Sequence, residues 1–157
     1  AETDLADLYD EFWITERGTI YLPGLRGDQG YIWEIKDGEK TEVLTFDAAS
    51  STPIPVENFA YLIQMKGNTR CITVKDYSGQ TLYDGPLYPQ GVPGVPGNPG
   101  ADSDDPTKDY GYAVIGSDGT QLFFNHTCFG GNEIQSYTVM VDVADNMKAT
   151  LLWSGAD

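Results

Sequence analysis

The segment Asp84–Asp109 restricts the possible folds of this chain more than any other stretch. It contains six of the nine prolines, and glycine recurs at every third position from Gly91 to Gly100. Proline lacks the N–H that a sheet ladder needs, and glycine loses the most backbone entropy when it is ordered, so neither a helix nor a central strand can run through this segment. We therefore expect one domain, residues 1–157, in which a long loop, residues 84–109, joins two strand-rich halves.

The sequence on both sides of this loop has the pattern of antiparallel β structure. Short apolar runs are broken by turn-forming pairs such as Asp37-Gly38, which readily adopts the positive φ angles of a type I′ hairpin turn. About ten short strands at this spacing predict a mainly β fold, an antiparallel β-sandwich of the jelly-roll or immunoglobulin-like type. A short amphipathic helix is also predicted before the first strand, because apolar residues recur at helical spacing at Leu5, Leu8, Tyr9 and Phe12.

The charge of the chain is strongly negative. Acidic residues outnumber basic ones by 24 to 9, which gives a formal net charge of −15. Such a surface repels phosphate backbones and anionic lipid headgroups, so we expect no nucleic-acid partner. No apolar run reaches the ~20 residues of a membrane-spanning helix, so we also expect no membrane insertion.

Carboxylates in the acidic part of the loop are the best candidates for a metal site. Hard oxygen ligands on a flexible loop suit calcium, and a bound cation would relieve the repulsion between the carboxylates. A solvated acidic loop is the alternative, because runs of charge usually face water. Ca²⁺ is the only cofactor that the sequence predicts, and its candidate ligands are Asp102, Asp104, Asp105 and Asp109.

Two features favour an extracellular or cell-surface location. A disulfide between Cys71 and Cys128 would close a long loop across the Pro/Gly segment and contribute about 4 kcal/mol, although two buried free thiols are the alternative. Asn125-His126-Thr127 matches the N-glycosylation sequon, with Asn125 as the acceptor.

No catalytic motif is present in the sequence. Proton-shuttling triads need a histidine, and the single one, His126, has no recognisable nucleophile motif near it, so we interpret it as a surface or edge residue. Two cysteines and one histidine are too few for a conventional zinc site. We therefore expect that the chain is not an enzyme.

Aromatic residues supply the candidate ligand contacts. The tryptophans Trp13, Trp33 and Trp153 lie within apolar runs, where core packing is the expected role. Four tyrosines lie near the ends of the loop and are better placed to be exposed. These ligand-binding candidates are Tyr83, Tyr88, Tyr110 and Tyr112.

Taken together, these patterns favour a protein that acts by contact. The preferred interpretation is a structural or adhesion subunit of a surface assembly, such as a pilus, a filament or an adhesin, with protein partners that include further copies of itself. The alternative is a carbohydrate-binding accessory module of a secreted protein, with a polysaccharide as partner. The residues assign no family.

Overall fold

The computed structural model describes residues 12–47, 49–67, 69–93, 109–130 and 133–156, and within these ranges it leaves out the side chains of residues 109–111, 128–130 and 133. The described residues form twelve strands and no helix. They therefore include no helix that could cross a membrane. The strands are β1 (Trp13–Ile14), β2 (Ile20–Arg26), β3 (Gln29–Lys36), β4 (Glu39–Phe46), β5 (Ile54–Pro55), β6 (Phe59–Lys66), β7 (Thr69–Asp76), β8 (Thr81–Pro86), β9 (Asp109–Asp118), β10 (Gln121–Gly130), β11 (Glu133–Asp142) and β12 (Lys148–Ala156).

Neighbouring strands in the sequence pair into three antiparallel sheets of four strands each. The sheets have the orders β1-β2-β3-β4, β5-β6-β7-β8 and β9-β10-β11-β12. The mainly β prediction is confirmed. Jelly rolls and immunoglobulin-like folds need Greek-key crossovers, whereas each of these three sheets is a meander. Of the predicted N-terminal helix, only Phe12 lies among the described residues, and it is not helical.

The chain divides into two compact units, of which the first comprises residues 1–64 and 72–84. One hydrophobic cluster fills its core and draws side chains from β2, β3, β4 and β6. Burial of a leucine, isoleucine or phenylalanine side chain in such a cluster contributes about 1.5–3 kcal/mol to the free energy of folding. The cluster consists of Tyr21, Ile32, Leu44, Phe46, Ala49, Ala60 and Leu62, with Val43 and Tyr77 packed against it.

A stacked pair of tyrosines closes one side of this core. The rings of Tyr21 and Tyr77 lie 3.6 Å apart, centroid to centroid, and within 3° of parallel. The Tyr77 hydroxyl lies 2.6 Å from the carbonyl oxygen of Val56 and 2.9 Å from that of Phe59, so it is held by the backbone around the start of β6. Burial raises the pKa of the Tyr77 hydroxyl, which therefore stays protonated and can donate.

The second unit comprises residues 65–71 and 85–157. Along its strands β10 and β11, buried side chains alternate with less buried ones, as expected for a sheet with one face in the core. Leu122, Phe124 and His126 of β10 are fully buried, and Val141 and Val139 of β11 lie opposite the first two of them. The segment after β8 also contributes to the buried set, through Leu87, Tyr88 and Val92. The predicted loop 84–109 therefore begins later than expected, because β8 continues to Pro86 and buried side chains follow it.

Among the strand pairs whose register is described, three carry a register shift, and in each of them the extra residue lies on a strand at the edge of its sheet. These residues are Val43 on β4, Ile115 on β9 and Leu152 on β12. The shift on β12 reverses which face each later side chain occupies. Leu151 lies opposite the buried Val139, but Trp153 lies opposite Thr138 on the other face. Trp153 is consequently 53% exposed, and its predicted core position is wrong.

Hairpin turns form where glycine allows positive φ. Asp37 and Gly38 have φ angles of 52° and 79°, and two successive positive values are what the predicted type I′ turn requires. This turn joins β3 to β4, which pair from Lys36 opposite Glu39. The Asp-Gly pair thus sets both the turn and the register of the hairpin.

Gly24 provides a test of the packing in the first unit. It lies opposite Tyr31 in the β2–β3 pair, and the Tyr31 ring covers its backbone so closely that an added Cβ would overlap the ring. Gly24→Ala should therefore lower the free energy of unfolding by about 1–3 kcal/mol, the usual cost of overpacking. Urea denaturation of the wild type and the variant measures this change in the free energy of unfolding. Gly116→Ala is the matched control, since nothing lies within 4 Å of a Cβ there, and equal effects of the two substitutions would contradict this packing.

Candidate functional site

A buried polar cluster lies in the second unit, on the inner face of the β9–β12 sheet. His126 is 0% exposed on β10, and Tyr112 of β9 and Tyr137 of β11 lie opposite it. Tyr88, from the segment after β8, hydrogen-bonds through its hydroxyl to Nε2 of His126. The guanidinium of Arg70, on β7, lies 4.2 Å above the Tyr112 ring. The predicted surface or edge position of His126 is therefore wrong.

Burial governs the ionisation of this cluster. It raises the pKa of the Tyr88 and Tyr112 hydroxyls, so both remain protonated at neutral pH. Burial, assisted by the positive charge of Arg70, lowers the pKa of His126 to about 4, so the imidazole is neutral. Arg70 is thus the charged member among these four side chains.

Three polar atoms of this cluster are buried without a hydrogen-bond partner in the described structure. They are Nη1 of Arg70, the hydroxyl oxygen of Tyr112 and Nδ1 of His126. Buried polar groups are nearly always paired, and each unpaired one costs about 1–3 kcal/mol. The group is not a catalytic triad, because His126 is bonded to a phenol rather than placed between a hydroxyl nucleophile and a carboxylate.

A polar pocket lies in the first unit, beside the β1–β2 and β3–β4 turns. Its volume is about 350 Å³. Hydroxyl and amide groups of Thr15, Thr19, Tyr21 and Asn58 line it together with charged side chains. The charged lining residues are Arg17, Glu34, Lys36, Asp37 and Glu57.

Hydrogen bonds fix the two glutamates of this polar pocket. Oε1 of Glu57 accepts from the Trp13 indole at 2.9 Å, and Oε2 accepts from the Glu16 backbone N–H at 3.4 Å. Oε2 of Glu34 accepts from the Tyr21 hydroxyl at 3.0 Å. Burial and this bond raise the pKa of Tyr21, which keeps the phenol a donor. Carboxylates held in this way keep further lone pairs with which they can accept hydrogen bonds from a ligand.

The outer strands of the β9–β12 sheet carry exposed apolar side chains. The two bulge residues, Ile115 and Leu152, are 58% and 50% exposed. Trp153 lies next to Leu152, and its ring covers the backbone of Gly155. β9 and β12 are the two opposite edges of this sheet, so Ile115 lies at one edge and Leu152 and Trp153 lie at the other. Among the described residues, each of these strands hydrogen-bonds to a neighbour on one side only.

The predicted ligand-binding tyrosines have different environments. Tyr88 is 2% exposed, so its predicted exposure is wrong, and its hydroxyl is engaged with His126. Tyr112 is half-buried with a buried hydroxyl, Tyr83 on β8 is half-buried, and the side chain of Tyr110 is outside the described residues. The structure brings Tyr88 and Tyr112 into one cluster, but around His126 and Arg70.

The remaining predicted sites are only partly described. Asp102, Asp104 and Asp105 lie outside the described residues, as does the side chain of Asp109, and the described residues alone contain no group of three potential metal ligands. Cys71 is buried and has no disulfide partner among the described residues, and the side chain of Cys128 lies outside them, so the disulfide stays a prediction. Asn125 is half-buried on β10, on the face opposite to His126.

Sequence reasoning missed Arg70, Glu34 and Glu57. The pairing of Tyr21 with Glu34 follows from the register of the β2–β3 hairpin, so a correct prediction of these two strands is sufficient to predict this part of the polar pocket. Arg70 and Glu57 come from other segments of the chain, and no local pattern marks them.

Comparison of the chain with protein-family models, with curated proteins and with solved structures finds no significant match.

The pKa of His126 predicts acid-sensitive stability. In the unfolded chain the imidazole has an ordinary pKa near 6.5, whereas in the folded chain the pKa is about 4, so the unfolded state binds the proton first. Between pH 7 and pH 4 this single group should therefore remove roughly 3 kcal/mol of folding free energy. The loss should level off below pH 4, where the folded state is protonated as well.

Substitution of His126 isolates this contribution from the many carboxylates. The difference in unfolding free energy between the wild type and His126→Phe should shift by the predicted amount between pH 7 and pH 4, because all other groups titrate in both proteins. Denaturant titrations at several pH values measure it, and His126→Gln serves if the phenylalanine variant fails to fold. A difference that is constant with pH would mean that His126 does not have a depressed pKa.

Proposed function

We propose that this chain is a non-enzymatic structural or adhesion subunit of an extracellular or cell-surface assembly, such as a filament or an adhesin. We propose further that its first unit is an antiparallel β-sandwich. The shared cluster of β2, β3, β4 and β6 side chains supports this, because two sheets that bury their inner faces against each other are the defining feature of a sandwich.

The observation that carries the proposal is the character of the two outer strands, β9 and β12. Residues 110–117 of β9 and 149–156 of β12 contain no charged side chain, in a chain of net charge −15. They also carry three apolar side chains that are each at least half exposed, those of Ile115, Leu152 and Trp153. Exposed apolar side chains on strands with a free side are typical of contact surfaces.

Electrostatics restricts how two copies can meet. Each copy repels another through its negative surface, and the repulsion extends over about 8–10 Å at physiological salt. Contact through the uncharged stretches of the outer strands, residues 110–117 and 149–156, keeps the acidic surfaces apart. If β12 of one copy meets β9 of the next, the interface joins unlike surfaces, and such contacts propagate into chains rather than closing as dimers.

The bulges define the type of contact. A bulge interrupts the ladder of free N–H and C=O groups and twists the edge, so continuous strand addition along the whole of β9 or β12 is disfavoured. The contact we propose is therefore side-chain packing around Ile115, Leu152 and Trp153.

The location and cofactor remain parts of the proposal. An extracellular or cell-surface environment is compatible with glycosylation at Asn125, whose side chain lies on the outer face of its sheet. Ca²⁺ bound by Asp102, Asp104, Asp105 and Asp109 would lower the negative charge and so favour association.

Assembly is tested by replacing the exposed apolar side chains. The wild type should form oligomers or filaments as its concentration rises, and the double variant Leu152→Ser/Trp153→Ser should shift association to at least about ten-fold higher concentration, since two buried contacts are lost. Light scattering after size exclusion and electron microscopy provide the readouts.

The calcium proposal is tested by measuring association at increasing Ca²⁺ concentrations for the wild type and for the double variant Asp104→Asn/Asp105→Asn.

The matched control is Leu82→Ser on β8, which removes a similarly exposed leucine elsewhere. It should associate like the wild type. A wild type that remains monomeric at all concentrations, with and without Ca²⁺, contradicts the assembly proposal.

A second candidate function is carbohydrate binding, and the polar pocket of the first unit favours it. A volume of about 350 Å³ is in the range of small-ligand sites. Its carboxylates can accept hydrogen bonds from sugar hydroxyls, and Arg17 and Lys36 can donate to sugar oxygens. This differs from the predicted mode, which used the loop tyrosines.

Glycan binding is tested directly on a glycan array. If a saccharide binds, Glu34→Gln should weaken it by about ten-fold or more, because a charged hydrogen-bond acceptor is lost. Glu39→Gln, the same change of charge in the β3–β4 hairpin but outside the pocket, should have no effect. Failure of every glycan to bind removes this candidate and leaves the assembly proposal untouched.

A further inference from the structure

The unpaired polar atoms of the buried cluster indicate a ligand-binding site. Nη1 of Arg70, the Tyr112 hydroxyl and Nδ1 of His126 are all buried, and no other side-chain atom in the described structure shares this condition. Their concentration in one place is the significant feature, since scattered unpaired atoms would have separate explanations. A common partner placed among the three side chains would pair all three atoms.

These atoms belong to side chains that surround one ring. Cζ of Arg70 lies 4.2 Å from the centroid of the Tyr112 ring, and the His126 ring centroid lies 5.6 Å from it. His126 itself is 0% exposed, so its free nitrogen cannot be hydrated by bulk water. Phe124 packs against both aromatic rings and limits the space around them.

The bond from Tyr88 determines which imidazole nitrogen carries the proton. If the Tyr88 hydroxyl donates to Nε2, the proton of the neutral ring resides on Nδ1 and a single imidazole group, the Nδ1–H donor, lacks a partner. The opposite tautomer would leave both the Tyr88 O–H and the Nδ1 lone pair unpaired. The first arrangement leaves fewer buried groups without a hydrogen-bond partner, so Nδ1 carries the proton and is a donor.

The cluster therefore presents three donors and one positive charge. The donors are the N–H of Arg70, the N–H of His126 and the O–H of Tyr112. The charged group that acts on both His126 and Tyr112 is Arg70, and no described carboxylate acts on either of them. A water molecule could accept from the two N–H groups and donate to the Tyr112 oxygen, but it carries no charge and cannot neutralise the guanidinium.

We infer that Arg70, Tyr112 and His126 form a buried binding site for a small monovalent inorganic anion of the chloride or bromide type. The anion accepts the three hydrogen bonds and neutralises Arg70, and it thereby stabilises the second unit. The inference is independent of the assembly proposal, because the site uses buried side-chain atoms on the inner face of the β9–β12 sheet, whereas the proposed contact uses the exposed side chains of Ile115, Leu152 and Trp153.

Anion binding is tested by unfolding temperature at constant ionic strength. Sodium gluconate is replaced stepwise by sodium chloride or bromide, so that screening of the negative surface stays the same throughout. An anion that binds the folded chain alone should raise the melting temperature by roughly 3–6 °C at ten times its dissociation constant. Tyr112→Phe and Arg70→Gln should reduce or abolish the rise.

Matched variants and a direct observation complete the test. Arg26→Gln removes an exposed arginine and should keep the full response to chloride. Bromide-soaked crystals should show an anomalous peak beside Arg70, Tyr112 and His126, a result that does not depend on how any variant folds. Equal melting temperatures in gluconate and chloride, or an ordered water with no bromide peak at the cluster, overturn the inference.

Discussion

Burial of one face of every sheet is the interaction on which the described structure depends. Ile32, Phe46 and Leu62 bury this face in the first unit, and Leu122, Phe124 and Val139 bury it in the second. Because side chains alternate along a strand, a residue placed on the buried face has to satisfy its polar atoms there. The polar sites of the molecule follow from this requirement.

The two units meet the requirement in different ways. In the first, the Tyr77 hydroxyl reaches two backbone carbonyls, and the Tyr21 hydroxyl reaches Glu34. In the second, the hydroxyl of Tyr88 reaches His126, but Nδ1 of that ring and the hydroxyl of Tyr112 have no partner. A fully satisfied network specifies one packing, whereas an incomplete one leaves a place for a ligand. This difference separates the structural tyrosines from the proposed anion site.

Charge and apolar exposure act together on the outside of the molecule. A net charge of −15 repels other copies of the chain, and residues 110–117 of β9 and 149–156 of β12 carry no charged side chain, so they add nothing to this repulsion. The bulges at Ile115 and Leu152 both blunt these edges and expose apolar side chains. A protein that acts by contact would use this surface, and a ligand-binding module would use the polar pocket.

The sequence predicts the mainly antiparallel architecture and most strand positions, because the alternation of apolar and polar residues and the Asp37-Gly38 turn are local signals. It did not determine the exposure of Trp153, since the bulge at Leu152 arises from pairing with β11 and reverses the faces of the strand. Because every second residue of a strand lies on the same face, His126 shares the buried face of β10 with Leu122 and Phe124. Arg70 and Tyr88, however, are brought beside it only by the tertiary structure. Local patterns encode which face a residue occupies, but contacts between distant segments decide what it meets there.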